Sequence, residues 1–238
     1  MNALIGLSGV LVLLLVVGGS IGLSDREHFA PRWLLVAALL VAMSDALHTR
    51  VYRNIPDLLP EADLNWQGKL LALAATLAIA SLPMFGWRRV GLTLAQAPGS
   101  LKAVLPVMIL YCAFFLALAL AFPDGPPSRE DIAFQLTMPG LQEELFYRGV
   151  LLFALDRAFT ARARFLGVDW GWGAVLSCML FGLDHAFGFS NGQFSFDPMF
   201  MALTALPSFI GVWVRLRTGS LLLPIVMHNF GNAISLLV

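Results

Sequence analysis

The stretch that decides the fold is LTMPGLQEELFYRGVLLFALDRA, residues 136–158. This apolar run is long enough to cross a membrane, yet it carries the adjacent glutamates Glu143 and Glu144 and the basic Arg148. A charge at the centre of a membrane helix costs roughly 2.5–3.5 kcal/mol on insertion scales, so charged residues in such a run are rarely idle. The stretch therefore indicates a membrane helix with a polar site. The alternative is that the glutamates lie in a hydrated loop and that the helix begins after them.

The composition of the whole chain agrees with a membrane protein. Of the 238 residues, 58% are hydrophobic and only 13% are charged, which is more apolar surface than a soluble domain of this length needs. The formal net charge is zero and no basic cluster is present, which argues against a nucleic-acid partner. No loop is long enough for a soluble domain. We therefore predict one integral membrane domain over residues 1–238, with the lipid bilayer as its surroundings.

The apolar runs predict an all-α fold, a polytopic membrane bundle of about eight transmembrane helices. Turn-rich or charged segments such as SDREH, FPDGPPSRED and RLRTGS separate the runs. The predicted helices cover residues 3–23, 31–48, 69–87, 101–122, 136–158, 171–187, 198–214 and 221–238.

The distribution of basic residues between the loops predicts an orientation. Ten lysines and arginines fall in or beside odd-numbered loops: Arg26, Arg32, Arg88, Arg89, Lys102, Arg157, Arg162, Arg164, Arg215 and Arg217. Even-numbered loops have four: Arg50, Arg53, Lys69 and Arg129. Because cytoplasmic loops carry the excess of basic residues, we expect the odd loops in the cytoplasm and both termini outside. The expected location is a bacterial cytoplasmic membrane.

The polar residues of the fifth predicted helix suggest two roles. Pro139 suits the first turn of a helix, where its missing N–H costs nothing. Glu144 and Arg148 are four residues apart, so they share a helix face and can form a structural pair that supports the site. With Arg148 paired to Glu144, Glu143 is left without a local cation, so its partner has to come from another helix. A buried carboxylate of this kind suits general-base catalysis.

Two further polar motifs follow in the sixth and eighth predicted helices. His185 comes one turn after Phe181 in FGLDH, and His228 and Asn232 are one turn apart in HNFGN. Taken alone, His185 is explained as a core or interfacial histidine. The pair His228 and Asn232 is likewise explained by a hydrogen bond between helices, which membrane bundles use. The joint placement of the three motifs is what indicates a site.

The helix directions bring these motifs to one side of the bilayer. Glu143 lies within roughly 6 Å of the start of its helix at about 1.5 Å per residue. His185 lies two residues before the end of a helix that leaves on that same side, and the helix with His228 and Asn232 runs towards it. A carboxylate, two imidazoles and an amide are thus expected to converge, and together they can form a hydrolytic site.

The three motifs resemble those of a known family. EELFYR matches EExxxR, FGLDH matches FxxxH and HNFGN matches HxxxN, in this order. The chain resembles the CAAX-protease and bacteriocin-processing (CPBP, or Abi) family of intramembrane glutamic endopeptidases, which is related to the prenyl-protein endoprotease Rce1. The motifs span about residues 136–236, and the first 130 residues show no matching signature. The resemblance implies that Glu143 and His185 activate water and that His228 and Asn232 form an oxyanion hole.

Zinc catalysis is the account that competes with direct activation of water by glutamate and histidine. Glutamate and histidine also bind zinc, but the zinc motif HExxH is absent and His228 is followed by an asparagine rather than by a second ligand. We therefore predict a mechanism without a metal, with the catalytic residues Glu143, His185, His228 and Asn232.

Three functions remain open at the level of the sequence. The first is an intramembrane endopeptidase acting on a membrane-associated protein or peptide, such as an exported precursor or a carboxyl-terminal sorting tail. The second is a proton-coupled transporter, in which buried glutamates and histidines relay protons. Transporters usually show paired halves, whereas the polar motifs here all lie in the second half of the chain. The third is a family member of the bacteriocin-immunity type that binds without cutting.

Overall fold

The computed structural model describes residues 2–123 and 125–238. Over this part of the chain, helices dominate. They are α1 Asn2–Ser24, α2 Pro31–Thr49, α3 Trp66–Ser81, α4 Ser100–Ala121, α5 Arg129–Gln135, the π-helical segment Gly140–Leu151, α6 Leu152–Ala158, α7 Trp172–Ala186, α8 Pro198–Thr218 and α9 Leu222–Ala233. Two antiparallel hairpins accompany them, β1 Ala163–Phe165 with β2 Val168–Trp170, and β3 Phe187–Ser190 with β4 Gln193–Phe196.

Four helices of the described chain are long and apolar enough to cross a membrane, namely α1, α2, α4 and α8. The remaining predicted spans are shorter or more polar: α3 has 16 residues and α7 has 15, while the fifth carries the charged motif. The mostly helical fold and the apolar spans confirm the prediction of a helical, membrane-integral protein at this level. The number of eight transmembrane helices stays a prediction.

The structure corrects the predicted bounds of two helices and adds the hairpins. The third helix was predicted over 69–87 but ends at Ser81, because Pro83 and Gly86 (φ 78°) follow in an irregular turn. The last predicted helix, 221–238, is regular only over Leu222–Ala233. The turn of the second hairpin is Asn191-Gly192, and both residues have positive φ. An Asn-Gly pair between strands is a strong hairpin signal that the helical interpretation passed over.

The centre of the bundle is the π-helical segment and its continuation, α6. Its side chains are buried almost without interruption, and Phe146, Leu151 and Leu155 are among the largest that are fully covered. Neighbouring helices α2, α3, α7, α8 and α9 contact it. By contrast, α1 and α4 expose most of their apolar residues. The motif with the glutamates therefore lies at the core, and the outer helices present an apolar surface of the kind that faces lipid.

The loops at the end of the bundle where α6 stops carry most of the basic residues. There the loop after α1 meets the end of α6 through a β-bridge between Phe29 and Phe159. Arg217 donates to the Gly167 carbonyl in the turn of the first hairpin at 3.0 Å. At the opposite end of α7, the second hairpin lies against α1 near Gly6. The two hairpins thus mark opposite ends of the bundle.

Candidate active site

One cavity of about 610 Å³ brings the motif residues together. Helices from both halves of the chain form its wall, and α4 and α8 contribute apolar side chains such as Phe115 and Leu203. Every site residue predicted from the sequence lines it: Glu143, Glu144, Arg148, His185, His228 and Asn232. A polar patch beside apolar walls is the composition of a ligand-binding cavity rather than of a packed core.

The close approach of α9 to the start of the π-helical segment places two of the motifs side by side. Pro139 precedes this segment, and the N–H of Gly140 donates to Asn229 Oδ1 of α9 at 2.7 Å. A Cβ at Gly140 would lie 2.7 Å from the Ile225 carbonyl oxygen, so only glycine permits this contact. His228 directly precedes Asn229 in α9, so the same contact places His228 beside the glutamates.

Glu144 joins Arg148 and His228 in a buried ionic group. Arg148 Nη1 lies 3.2 Å from Glu144 Oε1, and both side chains are 3% exposed. His228 Nδ1 lies 2.7 Å from the same Oε1. The guanidinium of Arg148 also stacks 4.1 Å above the Phe181 ring, an arrangement in which the ring quadrupole attracts a cation. Glu144 therefore has two partners, of which only Arg148 is suggested by the sequence.

Glu143 pairs with a cation from another helix, Lys69 of α3, which the sequence analysis had not identified. Its Oε1 pairs with Lys69 Nζ, and the same ammonium lies 3.2 Å from Gln142 Oε1. Its Oε2 is 3.7 Å from His228 Nε2 and is buried without a hydrogen-bond partner among the described residues. The carboxylate thus has one occupied oxygen and one that is free to act on a further group.

Lys69 is the site residue that the sequence analysis missed. It was counted with the loop charges, but α3 begins at Trp66 and the lysine side chain is buried at 7% exposure. A signal was present, since Lys69 opens the apolar run KLLALAATLAIA rather than standing in a polar loop. The correction lowers the basic count of the even loops by one and leaves the imbalance between the two ends in place.

His185 lines the cavity and forms no hydrogen bond with Glu143 in the described chain. Its Nδ1 lies 2.9 Å from the Phe181 carbonyl oxygen one turn earlier. A carbonyl only accepts, so Nδ1 carries a hydrogen, and in the neutral ring Nε2 has the lone pair. No hydrogen bond or ion pair joins His185 to Glu143 within the described chain. The imidazole nearest to Glu143 is His228.

Asn232 lies on the same face of α9 as His228, one turn further. Its Nδ2 donates to Gln135 Oε1 of α5 at 3.3 Å. An amide nitrogen carries two hydrogens, so the second one remains available to a molecule in the cavity. Within residues 2–123 and 125–238, no three His, Cys, Asp or Glu side chains are grouped so that they could hold a metal ion.

A second cavity of about 430 Å³ lies on the other side of the Lys69–Glu143 pair. It is bounded by α1, α2, α7 and the second hairpin, and its polar wall includes Asp45, His48 and Asp184. Lys69 and Glu143 line both cavities. The ion pair is therefore part of the wall between them.

Comparison with known families gives one match, over residues 130–234, to the model described as Rce1-like, type II CAAX prenyl endopeptidase. Neither the curated proteins nor the solved structures contain a match. The matched segment is less than half of the chain, but it begins in α5, ends in the last helical turn and contains all three motifs. The segment that carries the candidate site is therefore similar to the Rce1-like family of type II CAAX prenyl endopeptidases, as the resemblance of its motifs predicts.

Proposed function

We propose that this protein is an intramembrane endopeptidase that hydrolyses a peptide bond of a membrane-associated protein or peptide. The observation that carries the proposal is the single cavity lined by all six motif residues, in a segment of a prenyl-endopeptidase family. Peptide hydrolysis needs a base for water and donors for the developing oxyanion. The cavity offers both kinds of group beside apolar walls that suit a lipid-linked or membrane-bound substrate.

In the proposed mechanism, Glu143 is the general base. Its free Oε2 takes a proton from a water molecule while the water oxygen bonds to the scissile carbonyl carbon. His185 shares in holding that water through Nε2, which accepts a hydrogen bond when the ring is neutral. The ammonium of Lys69 balances the charge of the base in its ionised form. The side chains of Lys69 and Glu143 are only 9% and 12% exposed, which strengthens the attraction between them.

His228 and Asn232 are proposed to stabilise the oxyanion. The carbonyl electron pair moves onto oxygen as the water adds, and the Asn232 amide and His228 Nε2 point donors at it. Glu144 holds Nδ1 of His228, so Nε2 is the ring atom left for the substrate, and it donates when the ring is protonated. When the tetrahedral intermediate collapses, the carbon–nitrogen bond breaks and the proton held by Glu143 passes to the leaving amine.

The proposal is tested on the purified protein in nanodiscs. Peptides with a farnesylated or geranylgeranylated cysteine near the carboxyl end, the same peptides without the lipid, and an unmodified hydrophobic peptide are incubated with the protein. Mass spectrometry then identifies any product and the bond that is cut. We expect cleavage of at least one membrane-associated peptide. Intact peptides throughout, with a folded protein and with secreted and membrane-anchored precursors also tried, would contradict the proposal.

We further propose that eight helices cross the bilayer with both termini outside. The basic residues gather at the end of the bundle marked by the first hairpin, and basic loops face the cytoplasm. The candidate site then lies nearer the outer side, which suits an exported precursor or a carboxyl-terminal sorting tail in a bacterial cytoplasmic membrane.

The orientation predicts opposite accessibility for the two hairpins. In a background without Cys112 and Cys178, Ser190→Cys in the second hairpin should react with an impermeant maleimide on intact cells, after permeabilisation of any outer membrane. Arg164→Cys in the first hairpin should react only after the membrane is breached. Arg164 is a better reporter than Arg162, which holds the end of α6 through three carbonyl oxygens. The opposite pattern would turn the site towards the cytosol and favour a cytosolic lipidated substrate.

The absence of a metal from the mechanism gives a separate prediction. Activity of the purified protein should survive exhaustive chelation, and elemental analysis should find no stoichiometric zinc. The physical reason is that one oxygen of Glu143 is already paired with Lys69, so this carboxylate is balanced by an ammonium. Loss of activity on chelation with recovery on addition of zinc would recast Glu143, His185 and His228 as ligands.

Proton-coupled transport is the second candidate, and one observation favours it. The Lys69–Glu143 pair stands between two cavities with polar walls, which is also how a relay between two sides of a membrane is built. Reconstituted vesicles with a pH-sensitive dye separate the two functions. Proton flux that depends on Glu143, without cleavage of any peptide, would favour transport.

A further inference from the structure

Lys69 is a buried charge supplied from outside the family-matched segment. The chain contains only two lysines, Lys69 and Lys102. Lys102 is exposed at the start of α4, whereas Lys69 lies in the first turn of α3 with 7% exposure. The family match begins at residue 130, so the motifs of the family do not include Lys69. A buried ammonium needs a partner, and here that partner is the proposed base.

The turn that carries Lys69 is fixed to α2. Asn65 caps α3 by accepting from the Gly68 N–H at 2.9 Å, and its amide donates to the His48 carbonyl oxygen at 2.7 Å. A Cβ at Gly68 would lie 2.5 Å from that same carbonyl oxygen. The first turn of α3 thus rests directly on the end of α2, and a side chain at Gly68 would push it away.

The same turn is also fixed to α5 by Glu130. The Glu130 carboxylate accepts from the N–H groups of Leu64 at 3.0 Å and Asp63 at 3.1 Å, and from Trp66 Nε1 at 3.0 Å. The backbone N–H groups of Leu64 and Asp63 lower the pKa of Glu130, so its carboxylate is ionised at neutral pH. Lys69 is therefore held from both sides, by α2 through Asn65 and by α5 through Glu130.

Because Lys69 is anchored in this way, it can fix the orientation of the Glu143 carboxylate. Lys69 Nζ pairs with Oε1 of Glu143 and lies 3.2 Å from Gln142 Oε1, so the ammonium bridges two successive residues of the π-helical segment. The second oxygen, Oε2, lies 3.7 Å from His228 Nε2 and has no hydrogen-bond partner in the described chain. With Lys69 in place, the two carboxylate oxygens are no longer equivalent.

We propose that Lys69 is a positioning residue that holds Oε1 of Glu143 so that Oε2 faces the water to be activated. The inference rests on the proposed function, because it assigns a task within that reaction. Lys69 does not touch the substrate in this account. It acts through Glu143, and the part of the chain without family motifs thereby contributes to catalysis.

The test compares Lys69→Met, Lys69→Arg and the matched control Lys102→Met, each purified in nanodiscs. Lys69→Met keeps an unbranched side chain, one atom shorter, but removes the charge, so Glu143 is free to rotate. We expect kcat to fall by about 100-fold, the cost of a misplaced catalytic group, with KM changed by less than about twofold. Lys69→Arg should recover part of kcat because it restores a cation at the same place. Lys102→Met should equal the wild type.

A purely structural role would give a different result. It would lower the melting temperature and the active fraction of Lys69→Met, while kcat per active site stayed at the wild-type value. Wild-type kcat in Lys69→Met, or no recovery in Lys69→Arg when both are folded, would overturn the inference. A wild-type protein that cleaves nothing would instead refute the proposed function. Failure of the proposed function and failure of the inference about Lys69 therefore give different results.

If Lys69→Met is too unstable for kinetics, its melting temperature is compared with that of the double variant Lys69→Met with Glu143→Gln. The pair in the structure predicts that the double variant melts higher than Lys69→Met alone, because no carboxylate is then left without its cation. Equal or lower melting of the double variant would show that the two side chains are not coupled, and would overturn the inference.

Discussion

Replacing Glu143 by glutamine or alanine is expected to abolish peptide cleavage while the protein still inserts and folds. Glu143 Oε2 is the only carboxylate oxygen proposed to take the proton from water, and a glutamine cannot do so. Loss of a general base typically costs about 10²–10⁴ in rate. His185→Ala should lower the rate in the same way, since its Nε2 is proposed to hold the same water. Cleavage is measured by mass spectrometry on purified, monodisperse protein.

Two exposed residues provide matched controls for these variants. Glu61 lies in the loop before α3 and His28 in the loop after α1, and both side chains are exposed. Glu61→Ala and His28→Ala should cleave at the wild-type rate. Normal product formation by a well-folded Glu143→Gln variant would refute the assignment of the base. Activity in His185→Ala alone would move the second role to His228, the imidazole closest to Glu143.

Breaking the buried pair of Glu144 and Arg148 is expected to give the largest loss of stability. Each side chain is 3% exposed, so Arg148→Ala leaves a buried carboxylate and Glu144→Ala leaves a buried guanidinium. Removal of one member of a buried pair typically costs about 3–5 kcal/mol. Both variants should therefore melt at a lower temperature in detergent and express less. Glu144→Ala should also lower kcat, because Glu144 holds His228 Nδ1.

An exposed pair in the same chain controls for the loss of an ion pair as such. Arg164 and Asp169 of the first hairpin are 2.9 Å apart with side chains 63% and 60% exposed. Exposed pairs contribute about 0–1 kcal/mol, so Arg164→Ala and Asp169→Ala should melt close to the wild type. Unchanged melting of both Glu144→Ala and Arg148→Ala would show that the buried pair does not contribute to stability.

Local spacing in the sequence was enough to find the motif residues. Residues four apart on one helix share a face whatever the rest of the fold does, which is why Glu144 with Arg148 and His228 with Asn232 could be grouped. The alternation of helix direction was enough to predict that the three motifs would meet at one depth. The structure brings their side chains to one cavity. Their catalytic roles remain proposals.

Contacts between distant elements could not be predicted in this way. The contact of Glu144 with His228 depends on how closely α9 approaches the π-helical segment at Gly140. The spacing of residues in the sequence does not predict this distance. Lys69 is the first residue of the predicted helix 69–87 and was counted with the loop charges, because a lysine at a helix edge normally reaches water. Its burial depends on the anchoring of α3 by Asn65 and Glu130, and both of those contacts are long-range.

The measurement that tests the central claim most directly is cleavage of a membrane-associated peptide in water enriched in oxygen-18. If Glu143 activates water, the new carboxylate of the product carries one oxygen-18 atom from the solvent, and the Glu143→Gln variant gives no product. The mass of the product identifies both the bond that is cut and the origin of the oxygen. Intact peptide with the wild-type protein, or equal labelled product with Glu143→Gln, would contradict the account.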